Sequence, residues 1–135
     1  MNYYKQILVL LACTLTATTV LAKTTDTVVY EFTAFGDKGV YEDGWRAVVK
    51  KRHMSLEFIQ NNEYHPKIRT KRLAYAKGVE LTGKTKTGEV VTLNIRGQTC
   101  IDGQGRQHEF TATLYYKNKI IKGCAVRGAY GYAPT

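Results

Sequence analysis

The sequence predicts an all-β protein: a single small antiparallel barrel or sandwich of about seven to eight strands. Apolar and polar residues alternate with a period of two through most of the chain, and no stretch sustains the period of a helix. Short clusters of glycine and charged residues separate the alternating runs, as turns do in antiparallel sheets. A pair of cysteines near the end of the chain is expected to staple this fold.

The first 22 residues are predicted to be a secretory signal peptide. One basic residue, Lys5, precedes an apolar run that begins at Ile7, and small or aliphatic residues follow as far as Ala22. This order is typical of export signals. A membrane span needs about 20 consecutive apolar residues, and threonines interrupt this run, so we expect no transmembrane segment in the mature chain. The protein is therefore expected in the periplasm or outside the cell.

Cys13 gives the same segment a second interpretation. The sequence LLAC, which ends at Cys13, resembles the site at which bacterial lipoproteins are cleaved and lipidated. Only about six apolar residues precede Cys13, whereas the apolar core of an export signal has about 7 to 15. We therefore expect Cys13 to be removed with the signal and not to carry a lipid.

Removal of 22 of the 135 residues leaves one domain, residues 23–135, in which residues 127–135 are predicted to be a mobile tail. This domain has 19 basic and 11 acidic residues, which gives it a net charge of +8. A surplus of that size favours anionic partners, although solubility alone also accounts for it. The domain is expected to be a monomer.

The strands are defined by apolar residues that lie an even number of positions apart and therefore share one face of an extended segment. In chain order these are Val28, Tyr30, Phe32 and Ala34; Trp45, Ala47 and Val49; Met54, Leu56 and Phe58; Leu73 and Tyr75; Val79 and Leu81; Val91, Leu93 and Ile95; Phe110, Ala112, Leu114 and Tyr116; and Ile120, Cys124 and Val126.

Connections are expected where polar residues, glycine or proline interrupt the alternation. Gly36–Gly44 is rich in glycine and charge, and Gln60–Pro66 is polar and ends in a proline, which biases the preceding residue away from helix. Gly83–Glu89 supplies a hairpin connection, and a tight turn is expected at Lys117–Lys119.

Cys100 and Cys124 are the two cysteines of the mature chain. An even number of cysteines in an oxidising compartment favours one disulfide over a thiol nucleophile or a metal site. The three histidines lack the spacings that zinc sites show. We therefore predict a Cys100–Cys124 disulfide and no metal or cofactor.

The segment CIDGQGRQHEFTATLYY, followed by IIKGCA, resembles a family of small bacterial exported proteins of no settled activity. Members share a C-x-D-G-x-S-x-R-x-Y-P-F-T-A-like segment, a hairpin and a closing G-C-A. The residues that fit are Cys100, Asp102, Gly103, Arg106, Phe110, Thr111, Ala112, Gly123, Cys124 and Ala125. Gln104 and Gly105 replace the usual Met-Ser, and upstream only Trp45 matches. The resemblance implies an all-β exported domain with paired cysteines and no particular reaction.

Asp102 begins a stretch, DGQG, that alternates with glycine as some calcium loops do. A calcium site needs about six oxygen ligands, and Asp102 is the only carboxylate before Glu109. We therefore predict a tight turn in which the Asp102 side chain accepts hydrogen bonds from nearby backbone amides.

Arg106, His108 and Glu109 are residue types that a small secreted ribonuclease uses, with His53 or Glu57 as a partner. No motif fixes their geometry, however, and adjacent residues of a strand point to opposite faces. The sequence also lacks G-x-S-x-G and a phosphate-binding glycine loop. We therefore expect a protein without catalytic residues.

Two basic groups, KKRH and KIRTKR, are the candidate ligand-binding elements. In an extended strand Lys67, Arg69 and Lys71 project to one side and form a stripe that can meet phosphates or carboxylates. Tyr64 and Tyr75 flank this stripe, as aromatic residues do in strand-binding sites. A solvated edge protected from aggregation by lysine explains the same pattern.

Trp45, Asp102 and Arg106 are further residues at which ligand contact is expected. The function that fits all these features is that of an exported noncatalytic envelope protein, which binds an anionic ligand or an envelope protein in preference to nucleic acid. Two alternatives are a secreted cationic ribonuclease-like enzyme and an inhibitor of a cell-wall hydrolase such as lysozyme. Common lysozymes are themselves basic, so electrostatic repulsion disfavours the inhibitor.

Overall fold

The computed structural model describes residues 30–36 and 44–128, and these residues form β-strands joined by turns. The strands are β1 (Glu31–Gly36), β2 (Trp45–Lys50), β3 (His53–Phe58), β4 (Glu63–Tyr75), β5 (Gly78–Lys84), β6 (Val90–Arg96), β7 (Cys100–Ile101), β8 (Gln107–His108), β9 (Phe110–Tyr116) and β10 (Lys119–Arg127). The predicted all-β fold is confirmed. No helix occurs in the described ranges that has the length and apolar character of a membrane span. The predicted signal peptide, Cys13 and most of the loop between β1 and β2 lie outside these ranges.

Eight of the strands close into an antiparallel barrel. Around the barrel the order is β1, β10, β9, β6, β5, β4, β3 and β2, and β2 pairs with β1 to complete the ring. The chain therefore runs up and down from each strand to its neighbour, except that the short strands β7 and β8 are inserted between β6 and β9. Closure leaves none of these eight strands as a sheet edge.

One face of each barrel strand fills the interior, as the alternation in the sequence predicts. Leu81, Leu93 and Leu114 are completely buried in the middle of the barrel. Burial of each such side chain stabilises the fold by about 1.5–3 kcal/mol. The Phe32 and Phe110 rings meet edge to face with centroids 5.6 Å apart. Phe58 stacks on Tyr116 at 5.3 Å near the opposite end.

Gly123 allows the closing strands to approach each other beside the largest core side chain. A Cβ atom at this position would lie 1.9 Å from the carbonyl oxygen of Phe35 and 2.8 Å from Cζ2 of Trp45. The indole of Trp45 is 1% exposed and therefore uses the space that the missing side chain leaves. Glycine at 123 thus permits both the β1–β10 pairing and the packing of the tryptophan.

The β7–β8 hairpin covers part of the outer surface of the barrel. Phe35 points away from the interior and is nevertheless fully buried, because it packs against Cys100 and Cys124, with Val126 alongside. The ring of His108, on β8, meets the Phe35 ring edge to face with centroids 5.0 Å apart. The fold therefore has a second, smaller apolar cluster outside the barrel.

The predicted disulfide is confirmed, since Cys100 and Cys124 are bonded with their Cα atoms 5.5 Å apart. This separation is usual for a disulfide. Cys124 lies on β10 and Cys100 on β7, so the bond fastens the hairpin to the barrel wall.

The prediction that Gln60–Pro66 is a connection is wrong in its second half, because β4 already begins at Glu63. The β3–β4 pairing shifts register here: Met54 pairs with Ile68, whereas Leu56 pairs with His65. Pro66 lies in this bulge and before the β4–β5 pairing begins, so its missing N–H removes no ladder hydrogen bond.

Three other predicted segments also differ from the expectation. Leu73 and Tyr75 end β4 and do not begin a strand. Ile120 is 66% exposed, because the inward positions of β10 belong to Ile121, Gly123 and Ala125. The predicted tail 127–135 overlaps β10 at its first residue. The amide of Gly128 donates a hydrogen bond to the Glu31 carbonyl. Residues 129–135 lie outside the described ranges.

Loss of the disulfide should weaken the fold substantially. The cysteines are 24 residues apart, and opening a loop of that size costs roughly 3 to 4 kcal/mol on the chain-entropy model. We expect the double substitution Cys100→Ser with Cys124→Ser to lower the free energy of unfolding in urea by about that amount. The unsubstituted protein in reductant should show the same loss. An unchanged urea midpoint in both experiments would contradict a stabilising role for the disulfide.

Gly123→Ala should destabilise the barrel more than the same substitution at a glycine with free space around it. The added methyl collides with the Phe35 carbonyl, so we expect a loss of about 3 kcal/mol or more. Gly97→Ala is the matched control, because its nearest contact would be the Lys77 carbonyl at 3.4 Å. Urea unfolding of the two variants checks the prediction, and equal midpoints would refute the close approach at β1–β10.

Candidate functional site

The structure separates the residues at which ligand contact was predicted. Trp45 lies in the barrel interior, whereas Asp102 and Arg106 belong to the β7–β8 hairpin on the outside. None of these three residues lines any of the cavities described below. Arg69 and Lys71 are exposed on β4 and line a common cavity.

Asp102 organises the turn between β7 and β8. Its Oδ1 accepts hydrogen bonds of 2.9 Å from the backbone amides of Gln104 and of Arg106. The backbone adds a bond between the Gly105 amide and the Asp102 carbonyl at 3.0 Å. This confirms the tight turn predicted from the DGQG sequence.

The second carboxylate oxygen of Asp102 binds His108. Asp102 Oδ2 and His108 Nε2 are 2.7 Å apart, and both side chains are buried between the hairpin and the barrel. The hydrogen bond from His108 is the main reason why the pKa of Asp102 is held below its usual value. The pair therefore holds the hairpin together.

The other residues of the nuclease hypothesis are distributed over different surfaces. Glu109 Oε2 accepts a hydrogen bond of 2.9 Å from Nε of Arg127. His53 and Glu57 lie on the outer face of β3 and line a cavity of about 500 Å³ together with Tyr64. That cavity does not include His108 among its lining residues.

A cavity of about 860 Å³ lies where the turn between β2 and β3 meets β4 and the start of β1. It is lined by Tyr30, Lys51, Arg52, Arg69, Thr70, Lys71 and Arg72. Five of these seven side chains are cationic and none is acidic. We call it the basic cavity.

Backbone hydrogen bonds hold the walls of the basic cavity in position. The Lys51 amide donates to the Tyr30 carbonyl at 3.1 Å, and the Thr70 amide donates to the Arg52 carbonyl at 2.8 Å. The Arg72 guanidinium lies over the Tyr30 ring, 4.8 Å from its centroid. This cation–π contact joins β4 to the residue before β1. The cationic groups are therefore attached to a rigid frame.

A smaller cavity of about 450 Å³ adjoins the same part of β4. It shares Arg69, Thr70 and Lys71 with the basic cavity and is completed by Thr82, Gly83, Lys84 and Val90. No acidic residue lines this cavity either. The two cavities together make β4 the centre of a cationic surface.

The structure places two of the three residues of the predicted basic stripe in one cavity, with other cations beside them. Arg69 and Lys71 line the basic cavity as neighbours, whereas Lys67 does not line it. The aromatic residue of the cavity is Tyr30, while Tyr75 instead accepts a hydrogen bond of 2.6 Å from the Asn94 amide group. The KKRH and KIRTKR groups were both visible in the sequence, but their convergence depends on the β3–β4 pairing.

A second cluster of polar groups, which the sequence did not reveal, lies at the other end of the barrel. Tyr116 Oη is 2.7 Å from Glu63 Oε1, 2.5 Å from Glu89 Oε2 and 3.1 Å from His65 Nε2. Hydrogen bonds from Tyr116 and His65 lower the pKa of Glu63 to about 2. Burial and the hydrogen bond to Glu89 raise the pKa of Tyr116, so this phenol keeps its proton.

Glu63, His65 and Glu89 have the donor types that hold metal ions, and their atoms lie within 4.8 Å of one another. In this structure Lys117 supplies a positive charge, with Nζ at 3.1 Å from Glu63 Oε1 and 3.8 Å from Glu89 Oε1. The sequence signal for this cluster is weak, because its members come from β4, the β5–β6 turn and the end of β9.

Comparisons with known proteins found no relative of this chain. No family model, no curated protein and no solved structure matches the chain. The geometry of the described residues therefore carries the functional argument.

The lowered pKa of Glu63 predicts a specific dependence of stability on pH. Because its pKa falls from 4.5 to about 2 in the folded protein, the ionised carboxylate stabilises the fold fully above pH 4.5 and loses this effect as the pH falls towards 2. Glu63→Gln should therefore lower the melting temperature at pH 7, and the difference from the unsubstituted protein should shrink between pH 4.5 and 2.

Glu80→Gln on β5 is the matched control for this measurement, since it makes the same change of charge elsewhere on the barrel. Thermal unfolding followed by circular dichroism at intervals between pH 2 and 7 provides the data. A difference for Glu63→Gln that stays constant over this range would contradict the role of its charge.

Proposed function

We propose that this protein is an exported, noncatalytic binding protein that holds an anionic ligand or the anionic surface of an envelope partner in the basic cavity. The observation that carries the proposal is the composition of the cavity wall: five cationic side chains and no carboxylate among its seven lining residues. Its volume of about 860 Å³ falls in the range of small-molecule sites.

The charge distribution supports an anion at this site. Five cations around one concavity raise the local electrostatic potential, and no carboxylate lines its wall. Elsewhere two described cations have carboxylate partners, Lys117 with Glu63 and Arg127 with Glu109. An anion bound in the basic cavity would add a negative charge beside its cations, as the carboxylates do in these pairs.

The types of cationic residue favour a specific contact over a diffuse one. Three of the five are arginines, whose planar guanidinium groups donate paired hydrogen bonds to phosphate or carboxylate oxygens. Arg72 is already oriented by the Tyr30 ring. Preorganised donors lose less conformational entropy when the ligand binds.

A binding role without catalysis agrees with the positions of the acid–base residues. His108 and Asp102 are buried against each other under the hairpin, and the basic cavity has no histidine and no carboxylate in its wall. Proton transfer at neutral pH usually requires such a group within hydrogen-bond reach of the substrate. Export itself rests on the predicted signal peptide.

Removal of two cavity cations should weaken binding of a polyanion. We expect Arg69→Ala with Lys71→Ala to raise the Kd for a heparin oligosaccharide of fixed length by about tenfold or more, because each charged hydrogen bond contributes about 1.5–3 kcal/mol. Isothermal titration calorimetry at constant ionic strength measures the change.

The matched control replaces two exposed lysines at the other end of the barrel, Lys86→Ala with Lys119→Ala, which lowers the net charge equally. This variant should bind with a Kd within about threefold of the unsubstituted protein, since neither lysine lines the basic cavity or the adjoining one, and charges that do not touch the ligand are screened by salt. Equal losses in the two variants would mean that overall charge, and not the basic cavity, attracts the polyanion.

A further inference from the structure

Lys51, which lines the basic cavity, has a backbone conformation that lysine rarely adopts. It is the first residue of the turn between β2 and β3, and its φ angle is 53°. Glycine and asparagine are preferred in this left-handed region, because the Cβ atom of most other residues crowds the backbone there. Four non-glycine residues of the described chain have a positive φ: two asparagines, Asn62 and Asn118, and two lysines, Lys51 and Lys117. The two lysines therefore need an explanation that the asparagines do not.

The charge of Lys117 explains why a lysine is present at that position. Its Nζ lies 3.1 Å from Glu63 Oε1 and 3.8 Å from Glu89 Oε1, so an uncharged residue would leave both carboxylates without this cation. Lys51 has the same conformation, but within the described ranges its ammonium has no carboxylate partner and no hydrogen-bond acceptor. Strained residues persist where their side chains are needed for function. A bound anion would give Lys51 the partner that Lys117 finds within the protein.

The cationic surface beside Lys51 continues across β4. Arg69 and Lys71 are exposed and line both the basic cavity and the adjoining cavity of about 450 Å³, so the two spaces are contiguous. Lys84 adds a sixth cation on the far side, and no carboxylate lines either cavity. The six cations therefore extend over two joined spaces and do not surround a single point.

The extent of this surface follows from the strand pairing. On one side of β4 the Thr70 amide donates to the Arg52 carbonyl, and on the other side Thr70 pairs with Gly83 of β5. Neighbouring strands lie about 4.8 Å apart, so the backbones of Arg52 and Gly83 are roughly 10 Å apart. A chain that carries anionic groups at intervals can therefore contact the cations on both sides of β4 at once.

The side chains of the two walls also restrict the chemistry of that chain. Arginine and lysine only donate hydrogen bonds, so the walls have many donors and few acceptors. A peptide brings one N–H per residue that needs an acceptor, and a nucleic acid needs aromatic platforms for its bases. Among the described residues that line the two cavities Tyr30 is the one aromatic residue, and the Arg72 guanidinium lies over its ring. A chain of sugars with acidic groups presents carboxylate, hydroxyl and ether oxygens, all of which accept hydrogen bonds.

We infer that the basic cavity and the adjoining cavity together bind a chain of an acidic polysaccharide, and that the Lys51 ammonium contacts one of its anionic groups; this rests on the proposed function. The chain crosses β4 above Arg69 and Lys71, which line both cavities, and reaches Lys84 on the far side. The lysine at position 51 is kept in its left-handed conformation because its charge is used by the ligand.

Lys51→Asn separates the role of this residue in binding from its effect on stability. Asparagine tolerates the left-handed conformation, so the melting temperature without ligand should stay equal or rise. The Kd for a galacturonic acid hexasaccharide should rise about tenfold, because a charged hydrogen bond is lost. Thermal unfolding and calorimetry at constant ionic strength provide the two measurements.

Lys117→Asn is the matched control, since it makes the same change of residue and charge at a φ angle of 49°. Lys117 lines neither cavity, so its substitution should leave the Kd within about threefold of the unsubstituted protein. This variant should melt at a lower temperature than Lys51→Asn, because Glu63 and Glu89 lose their lysine.

Oligomers of different length and chemistry test the class of ligand. The Kd should fall as galacturonate oligosaccharides are lengthened from the disaccharide to the hexasaccharide. Lys84→Ala should raise the Kd of the hexasaccharide more than that of the disaccharide, because only the longer chain reaches the far side of β4. A thymidine oligonucleotide and a glutamate peptide of equal charge should both bind more weakly than the hexasaccharide at the same ionic strength.

The inference is overturned if the oligonucleotide or the glutamate peptide binds as tightly as the hexasaccharide, if chain length has no effect, or if Lys51→Asn and Lys117→Asn have equal Kd values. The heparin experiment with Arg69→Ala and Lys71→Ala distinguishes such a failure from a failure of the proposed function. If those two substitutions still weaken heparin binding, anion binding in the basic cavity stands and only the polysaccharide chain at Lys51 is rejected.

Discussion

The pairing of β1 with β10 is the contact on which the rest of the structure depends. It converts an eight-stranded meander into a closed barrel, and it is possible because Gly123 leaves room for the Phe35 carbonyl. On the inner side of this seam Trp45 fills the space, and on the outer side the hairpin covers Phe35. An open sheet would expose both apolar surfaces and two unpaired edges.

The closed barrel separates two polar regions of opposite character. The β2–β3 turn and the later part of β4 bring together five cations in the basic cavity. The β5–β6 and β9–β10 turns, at the other end, surround the Glu63, Glu89 and Tyr116 cluster, in which Lys117 balances the carboxylates. Carboxylates and a lysine thus offset each other at one end, whereas no carboxylate lines the basic cavity at the other.

Much of the fold could be predicted because period-two alternation depends on local sequence alone. The inward residues of β2, β3, β6 and β9 follow it closely, and the cysteine count predicted the disulfide. The start of β4 escaped prediction, since its first residues are polar and include Pro66, and a bulge in the β3 pairing is what accommodates them. The short β7 and β8 have two residues each, too few to show a period.

The candidate site was less accessible to sequence reasoning, because it is defined by distances between segments. The basic residues of β4 were recognisable, but the sequence could not show that Lys67 lies outside the cavity or that Tyr30 lines it. The partner of a threonine hydroxyl is likewise a tertiary property: Thr33 and Thr70 look alike in sequence, and only the fold gives one of them an acceptor.

The seam also has a kinetic consequence. Thr33 and Gly128, which it brings together, are 95 residues apart along the chain. No closed barrel can exist until nearly all of this length is available, and contacts between distant segments form slowly because chain entropy opposes them. The barrel therefore cannot close before β10, the last strand of the described chain, is available to pair with β1.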